Sequence, residues 1–528
     1  MNMKILLNIL YACLGLLVAI VPTKRALHVF QQAKYDTKRY IDWISEYLKD
    51  KKIKGILILS IYFILMFLSL KTNIIKYLII VLSSLLCFKL FKDESSKEYI
   101  KPLVYTDRVK RMIVMIVILD LLVLHLFMIF LENYYYGGLF ASLIILNWVI
   151  ILISNFMMMP IETLVKNHYL NDAKKILDSN TRLTKIGITG SFGKTSTKNI
   201  VQSIISEEYR SLMTPHSYNT PMGITRTIRE YLKPTHQIFV CEMGADHKND
   251  IRYLSDFVRP SIGLVTSIGP QHLSTFGSLE NIINEKMSLI EKLPKDGVGI
   301  INFDNEYIRN YKVNNTCKII KYGIDNKDVD YRAIDIEYSP KGSKFKVLTK
   351  DNTYQFETKL LGKLNILNIL SGIALSRELN VEWDDIIKAV KTIPYIEHRL
   401  ELKKINGFRF IDNAFNSNPV GAKMSLDVMK MMPNKRIIVT PGMIDLGSKQ
   451  YELNKEFGSC MKDSIDIAIL VGEKQTMPIK EGLLESGFIE DNIHVVKTVK
   501  EGFALVYSLA SKEDTILLEN DLPDAYNV

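Results

Sequence analysis

The sequence predicts an N-terminal α-helical membrane domain followed by two α/β domains, the first with a mostly parallel sheet around a phosphate-binding loop. Three observations carry this. Five apolar runs crowd into the first third of the chain. At residues 185–189 a β-like run enters a glycine turn and then a helix. The same rhythm of strand, polar turn and helix recurs as far as residue 518.

The apolar runs cover residues 4–21, 55–70, 74–91, 112–131 and 139–159, which assigns 1–160 as a transmembrane region of about five helices. A spanning helix needs about 20 apolar residues and at least about 17, so the second run is short. No A-x-A-like cleavage site follows the first run, and Lys24-Arg25 comes directly after it, which predicts a retained span rather than a removed signal. Orientation follows from the loops. Residues 22–54 hold nine cations, from Lys24 to Lys54, and residues 92–111 hold Lys92, Lys97, Lys101, Arg108, Lys110 and Arg111. The loop Glu132-Asn133-Tyr134-Tyr135-Tyr136 has none. Basic loops stay in the cytoplasm. An odd number of spans then puts the N-terminus outside and residues 160–528 inside, as a multi-pass protein of the cytoplasmic membrane. Asp120 and His125 lie in the fourth run, as functional groups or as polar contacts between packed helices.

A net charge of +10 and a pI of about 9.0 would suit a nucleic-acid partner. The cations, however, stand beside the apolar runs, so the charge fits a membrane surface and no nucleic acid. Cys13, Cys87, Cys241, Cys317 and Cys460 lie far apart without metal-ligand spacing, which excludes a disulfide framework and fits a reducing compartment.

Past Pro160 the hydropathy falls, and residues 161–177 read as an amphipathic linking helix. Strand-like runs follow at 185–189, 238–241, 262–265 and 298–301, each leading into a helical pattern, as in a parallel sheet with crossover helices. Residues 330–360 alternate in short stretches and predict antiparallel hairpins. A second α/β unit has strands at 408–411, 436–439, 467–471 and 515–518. The domain boundaries expected are 161–398 and 399–528.

The strongest local signal is Gly190-Ser191-Phe192-Gly193-Lys194-Thr195-Ser196. In such a loop, backbone N–H groups and the helix N-terminus cradle phosphates, the lysine reaches the outer phosphates and the hydroxyl ligates Mg²⁺. It departs from the general pattern in having Ile188 where a first glycine is usual.

With Ile188 and Thr189 before it, this loop resembles that of the Mur ligase family, and further motifs of the MurF-like type follow in order over roughly residues 180–450. The resemblance implies a Mur ligase central domain and a C-terminal Rossmann-like α/β domain. It implies that Glu242, in Glu242-Met243-Gly244-Ala245, binds magnesium, and that His272 helps to hold a second metal. Lys286 lies where the family carries a lysine carbamylated by CO₂. Asn365 and Asn368 match an asparagine pair beside the adenine, and Arg399 matches an arginine that touches ATP. The stretch Asp412-Asn413-Ala414-Phe415-Asn416-Ser417-Asn418-Pro419 resembles one that contacts the nucleotide, which implies that contact for Asp412, Asn416 and Asn418.

The chemistry asks for these residue types. A carboxylate attacks the γ-phosphate of ATP to give an acyl phosphate, and an amine then attacks that carbonyl and expels phosphate. Charge builds on the transferring oxygens, so Lys194, Arg399 and Mg²⁺ on Thr195, Glu242, His272 and Lys286 would offset it. An ammonium would repel a metal, whereas a carbamate on Lys286 is an anion. Taken alone, Lys286 beside Glu285 and Glu291 would read as a solvated ion pair.

Three departures bear on the substrate. The membrane runs occupy the place of the family's UDP-sugar domain. Leu364 stands where a histidine is common, and Glu519-Asn520-Asp521 follows the last strand where K-G-S-R is usual. The leading expectation is therefore a ligase adding an amino acid or short peptide to a lipid-linked or polymeric carboxylate acceptor in envelope biosynthesis. The alternatives are a true MurF step, joining D-alanyl-D-alanine to UDP-muramoyl tripeptide; a polyglutamate synthase-like activity; and a non-catalytic membrane scaffold with a relic ATP site.

Overall fold

The structure, a computed structural model, describes residues 20, 23–47, 102–130, 136–415, 417–444 and 446–520. The chain divides into two compact units, residues 1–167 and 168–522.

The first three expected apolar runs lie outside the described residues, save Ile20. The fourth falls in the helix Asp107–Phe130 and the fifth in the helix Tyr136–Ser179. Among the described residues, one helix is long and apolar enough to cross a membrane, Asn147–Ser179. The linking helix expected at 161–177 is not separate: it continues the fifth run, with Pro160 inside the same helix. An interior proline loses one i→i−4 hydrogen bond and crowds the carbonyl it would have met, yet the helix runs on through Pro160, so the drop in hydropathy there is not a break. In the first unit Phe30, Tyr40, Met112, Ile116 and Ile151 form the core, with the Tyr40 and Trp148 rings stacked. Arg111 grips Glu162 through two bonds of 2.7 and 2.9 Å. Asp120 is buried and His125 exposed.

The second unit holds two sheets. The first has nine strands: β1 (Thr184–Thr189), β2 (Ser211–Met213), β3 (Ile238–Glu242), β4 (Ile262–Val265), β5 (Val298–Asn302), β6 (Lys318–Gly323), β7 (Tyr331–Ser339), β8 (Gly342–Leu348) and β9 (Thr353–Thr358). Their order is β2-β3-β1-β4-β5-β6-β7-β8-β9. Pairing is parallel from β2 to β7 and antiparallel across β7, β8 and β9. The helices Lys194–Ile205 and Gly362–Glu378 cover one face through Ile200, Val201, Ile366 and Ile373. The helices Asp250–Val258 and Leu279–Glu291 cover the other through Leu254, Phe257, Met287 and Leu289. A strand covered on both sides needs apolar residues at every position, and β3 reads Ile-Phe-Val-Cys before its terminal glutamate.

The second sheet runs β10-β11-β15-β12-β13-β14, with β10 (Glu401–Ile405), β11 (Phe408–Asn413), β12 (Arg436–Thr440), β13 (Ile467–Val471), β14 (Ile493–Val496) and β15 (Thr515–Glu519). Only β10 is antiparallel to its neighbour. The sequence pattern missed β2, β6, β10 and β14. β2 has three residues, too few for a pattern to show, while β14 is a half-exposed edge strand interrupted by His494 and β10 is a polar edge strand.

Candidate active site

The parallel strands bring chemistry to one end. Ile188 of β1 is in register with Glu242 of β3, so the turn after β1 opens beside a carboxylate. That turn, Gly190 to Gly193, leads straight into the helix Lys194–Ile205. Gly190 has φ 152° and Gly193 φ 82°. A Cβ at Gly190 would come within 2.1 Å of Thr266 Oγ1, and one at Gly193 within 2.8 Å of Asn368 Oδ1. Both positions demand glycine for conformation and for space. The strand β4 side holds the loop: the Ser191 amide donates to the Ser267 carbonyl at 2.7 Å, Ser191 Oγ to the Gly269 carbonyl at 3.1 Å, and Ser267 Oγ to the Phe192 carbonyl at 2.8 Å.

Lys194 Nζ donates to the carbonyls of Gly190 at 2.7 Å and Ser191 at 3.2 Å. Burial pushes its ammonium down to about 8, with Glu242 pulling the other way. Thr195 Oγ1 and Asn219 Nδ2 donate to Glu242 Oε1 at 3.1 and 3.0 Å. The other oxygen, Oε2, pairs with Lys198 Nζ at 3.1 Å, and both side chains are shut off from solvent. Burial alone would raise the Glu242 carboxyl, but Lys198, Lys194 and the Asn219 amide hold it below the usual range. Lys198 also donates to the His216 carbonyl, and the Glu242 amide to Thr214 Oγ1 at 3.1 Å. Ser196 is buried in the first helical turn.

Lys286 is buried on the helix Leu279–Glu291, with Nζ 6.0 Å from the centre of the Phe276 ring. Burial, reinforced by the nearby charge of Lys194, pushes it down to about 7. The solvated ion pair read from sequence is therefore overturned. Glu285 instead accepts the amides of Asn249 and Ile251, each at 2.6 Å, and Glu291 accepts the Asn314 amide at 2.9 Å. His272 has φ 51° and lies with Nε2 3.4 Å from Asp246 Oδ1.

Asn368 Oδ1 accepts from Thr197 Oγ1 at 3.2 Å, while its buried Nδ2 has no partner among the described residues. Asn365 Nδ2 donates one turn back to the Leu361 carbonyl at 2.9 Å. Arg399 Nη1 donates to the Phe415 carbonyl at 2.6 Å, and its guanidinium carbon sits 4.6 Å from that ring's centre. Burial lowers Arg399 to about 10, against the pull of Glu242 and Glu519.

Asp412 is engaged within the protein. Its Oδ2 meets His398 Nδ1 at 2.8 Å and Lys403 Nζ at 2.8 Å, and its Oδ1 accepts the Ala414 amide at 3.2 Å. His398, Glu401 and Asp412 would suit a metal by type, but Lys403, 2.9 Å from Glu401, already supplies a cation there. Asn418 caps the helix Pro419–Lys430 by accepting the Gly421 amide at 3.0 Å, which is a structural duty. Asn416 lies outside the described residues.

Thr195 thus bonds Glu242 directly, while Lys194 and Arg399 lie near enough for Glu242 to favour their charged forms, and Lys194 in turn disfavours the charged form of Lys286. Sequence reading missed Lys198, Asn219 and Asp246. Lys198 stood one helical turn after Lys194, a spacing that shares a face. Asn219 and Asp246 carried no such signal.

The model of the Mur ligase middle domain matches residues 188–376, and that of the Mur ligase glutamate ligase domain matches 398–519. UDP-N-acetylmuramoyl-tripeptide--D-alanyl-D-alanine ligase of Bacillus subtilis is 30% identical over 338 residues, 63% of this chain and 72% of that one. The chain belongs to the Mur ligase family. Mur ligases are ATP-dependent enzymes that form amide bonds. The Escherichia coli enzyme of the same name is 27% identical over 55% of this chain and 64% of its own length. Among solved structures, MurF from Acinetobacter baumannii matches with TM-score 0.62 and 23% identity, covering 67% of this chain and 77% of that one. A MurF ligase from Thermotoga maritima in complex with ADP gives 0.62 at 21% identity, covering 69% and 81%. These likenesses show a Mur ligase fold in the second unit.

Proposed function

We propose that this Mur ligase is anchored in the cytoplasmic membrane and joins a carboxylate to the amine of an amino acid or short peptide in cell-envelope biosynthesis. The observation that carries it is the register that sets Glu242, at the end of β3, beside the glycine loop after β1, with Thr195 Oγ1 3.1 Å from its carboxylate and Lys194 on the same loop. These residues fit a Mg-nucleotide. Thr195 Oγ1 and Glu242 Oε1, 3.1 Å apart, are hard oxygens of the kind Mg²⁺ takes, and the buried Asn368 Nδ2 beside Gly193 is a donor without a partner among the described residues. Bound there, Mg²⁺ supplies charge neutralisation at the phosphates.

The chain's own groups do the rest. Lys194 and Arg399 bring two cations to the transferring phosphoryl group, in a place dry enough for charge to count. The acceptor's carboxylate takes that group from ATP to become an acyl phosphate; the amine then attacks the carbonyl and phosphate leaves. The depressed amine of Lys286 is neutral in part near pH 7, the form that adds CO₂, and as a carbamate it would join Glu242 and His272 as an anionic metal ligand.

The membrane region supports a lipid-linked or polymeric acceptor. In it Val114, Ile118, Leu122, Val149 and Phe156 are exposed apolar side chains, as lipid contact requires. The two basic loops support an N-terminus outside and the ligase domains, 161–398 and 399–528, in the cytoplasm. A second reading is true MurF activity, the step after which the Bacillus subtilis and Escherichia coli relatives are named.

The test is to incubate the detergent-solubilised chain with Mg-ATP, D-alanyl-D-alanine and UDP-muramoyl tripeptide, and to seek the pentapeptide by mass spectrometry, with Lys194→Ala as control. Pentapeptide absent from the control establishes the MurF step. ATP turnover only on adding membrane lipid or polymer extract supports the other acceptor, and no turnover under any condition refutes both.

A further inference from the structure

The end of β15 holds a carboxylate that the site described above does not use. Glu519 is 0% exposed, on the last residue of the strand. Its oxygens accept three side-chain hydrogen bonds: from Ser417 Oγ at 2.5 Å on Oε1, and from Asn413 Nδ2 at 2.8 Å and Ser425 Oγ at 2.7 Å on Oε2. The change from a basic to an acidic end after this strand does not, at Glu519, meet a ligand; it turns inward to the protein's own loop.

The next residue holds the same loop. The Asn520 amide donates to the Asn413 carbonyl at 3.2 Å, and Asn520 Oδ1 accepts the Ser417 amide at 3.1 Å. Its Nδ2 donates to the Gly442 carbonyl at 2.6 Å, beyond the end of β12. Glu519 and Asn520 therefore hold both Asn413 and Ser417. Phe415, between these two in sequence, holds Arg399 through its carbonyl at 2.6 Å and through its ring. The residue after Arg399 is held as well, since the Leu400 amide donates to Asn413 Oδ1 at 3.3 Å.

We infer that Glu519 is a positioning residue for Arg399, acting through Asn413, Phe415 and Ser417. The inference rests on Arg399 meeting the nucleotide as proposed above. Glu519 touches no reacting atom. Its part is to fix the carbonyl and ring on which the guanidinium rests, so that the charge is in place before ATP arrives. The donor set explains the residue type. Asn413 Nδ2 and two serine hydroxyls face position 519, and a carboxylate offers two oxygens to accept from them. A lysine there would leave Asn413 Nδ2 without an acceptor on that side chain.

The test is a double-mutant cycle on the full-length solubilised protein, read by equilibrium binding of Mg²⁺ with the β,γ-imido analogue of ATP. Arg399→Ala should weaken binding about tenfold, the loss expected for one charge-assisted contact. Glu519→Ala should weaken it to a similar degree, and the double variant should be no weaker than Arg399→Ala alone. Glu519→Gln keeps an acceptor for Ser417 and loses the one for Asn413, so it should fall between wild type and Glu519→Ala. If Glu519→Ala does not melt cooperatively, Glu519→Gln carries the same cycle. Losses that multiply in the double variant, or Glu519 variants that bind as wild type does, overturn the inference. Wild type that fails to bind the analogue, or Arg399→Ala that binds it equally well, removes the ATP-site reading and this inference with it.

Discussion

Lys198 Nζ lies 3.1 Å from Glu242 Oε2, and neither side chain reaches solvent. Glu242 Oε1, by contrast, faces Thr195 and Asn219. One carboxylate oxygen is thus tied to a fixed cation and the other is turned toward the phosphate loop.

Removing that cation while keeping the bulk should be costly. Lys198→Met leaves Glu242 charged and unpaired in a closed space, which destabilises a protein by about 3–5 kcal/mol. We expect a clear drop in the thermal midpoint for Lys198→Met. Adding Glu242→Gln, which removes the stranded charge, should recover most of it. A single variant that melts with wild type would show that the pair contributes nothing.

Lys286 gives a pH signature of the opposite sign. Its folded value of about 7 lies below the ordinary 10.5, so the folded state holds this proton less tightly than the unfolded chain does. The penalty, on the order of a few kcal/mol, is full below pH 7 and fades as pH rises from 7 toward 10.5. Lys286→Met should therefore stabilise the metal-free protein at pH 6, with the gain shrinking by pH 9, while ligase activity disappears at every pH. Denaturation curves at the two pH values decide this, and a gain that grows with pH would contradict it.

A methyl group at the phosphate loop should separate folding from nucleotide binding. In Gly190→Ala the new carbon meets Thr266 Oγ1 at 2.1 Å on a backbone at φ 152°, so the loop must move. The hydrophobic layers on either side of β1 do not include Gly190. We expect nucleotide affinity to fall by at least about tenfold with a small change in melting. Calorimetric titration with Mg-ADP measures it.

The proposed orientation is open to a protease. In inside-out membrane vesicles, added trypsin should cut within residues 168–520, and in right-side-out vesicles those residues should stay intact until detergent is added. Cleavage in the right-side-out preparation alone would reverse the topology drawn from the basic loops.

Much of the second unit was legible in the sequence, for physical reasons. β3 and β4 are buried along their whole length and β1 and β5 along most of it, so apart from polar residues at their ends they read as short runs of apolar residues and glycine. Gly190 and Gly193 are conspicuous because no side chain fits there. Short or polar strands such as β2 and β10 left no such trace. Within the site, resemblance placed Arg399, which spacing alone would not have done. Asn219 and Asp246 stayed hidden because a polar residue in a turn looks the same whether it faces water or a carboxylate. Asp412 and Asn418 lay in a recognisable stretch, yet their atoms serve Lys403, His398 and a helix cap.

The strand order has a consequence for biosynthesis. β1 leaves the ribosome first of the nine, yet its phosphate loop takes shape only against later residues. Thr266 bonds the Phe192 carbonyl across 74 positions, and Asn368 meets Thr197 across 171. Arg399 comes later still, and Glu519, which closes the grip on its loop, follows the Asn413 it holds by 106 positions. A nascent chain halted before Arg399 would carry the glycine loop with its Thr266 and Asn368 contacts but without that cation. On the reading proposed above, such a product would bind the nucleotide about tenfold more weakly, and full affinity comes only when translation is nearly finished.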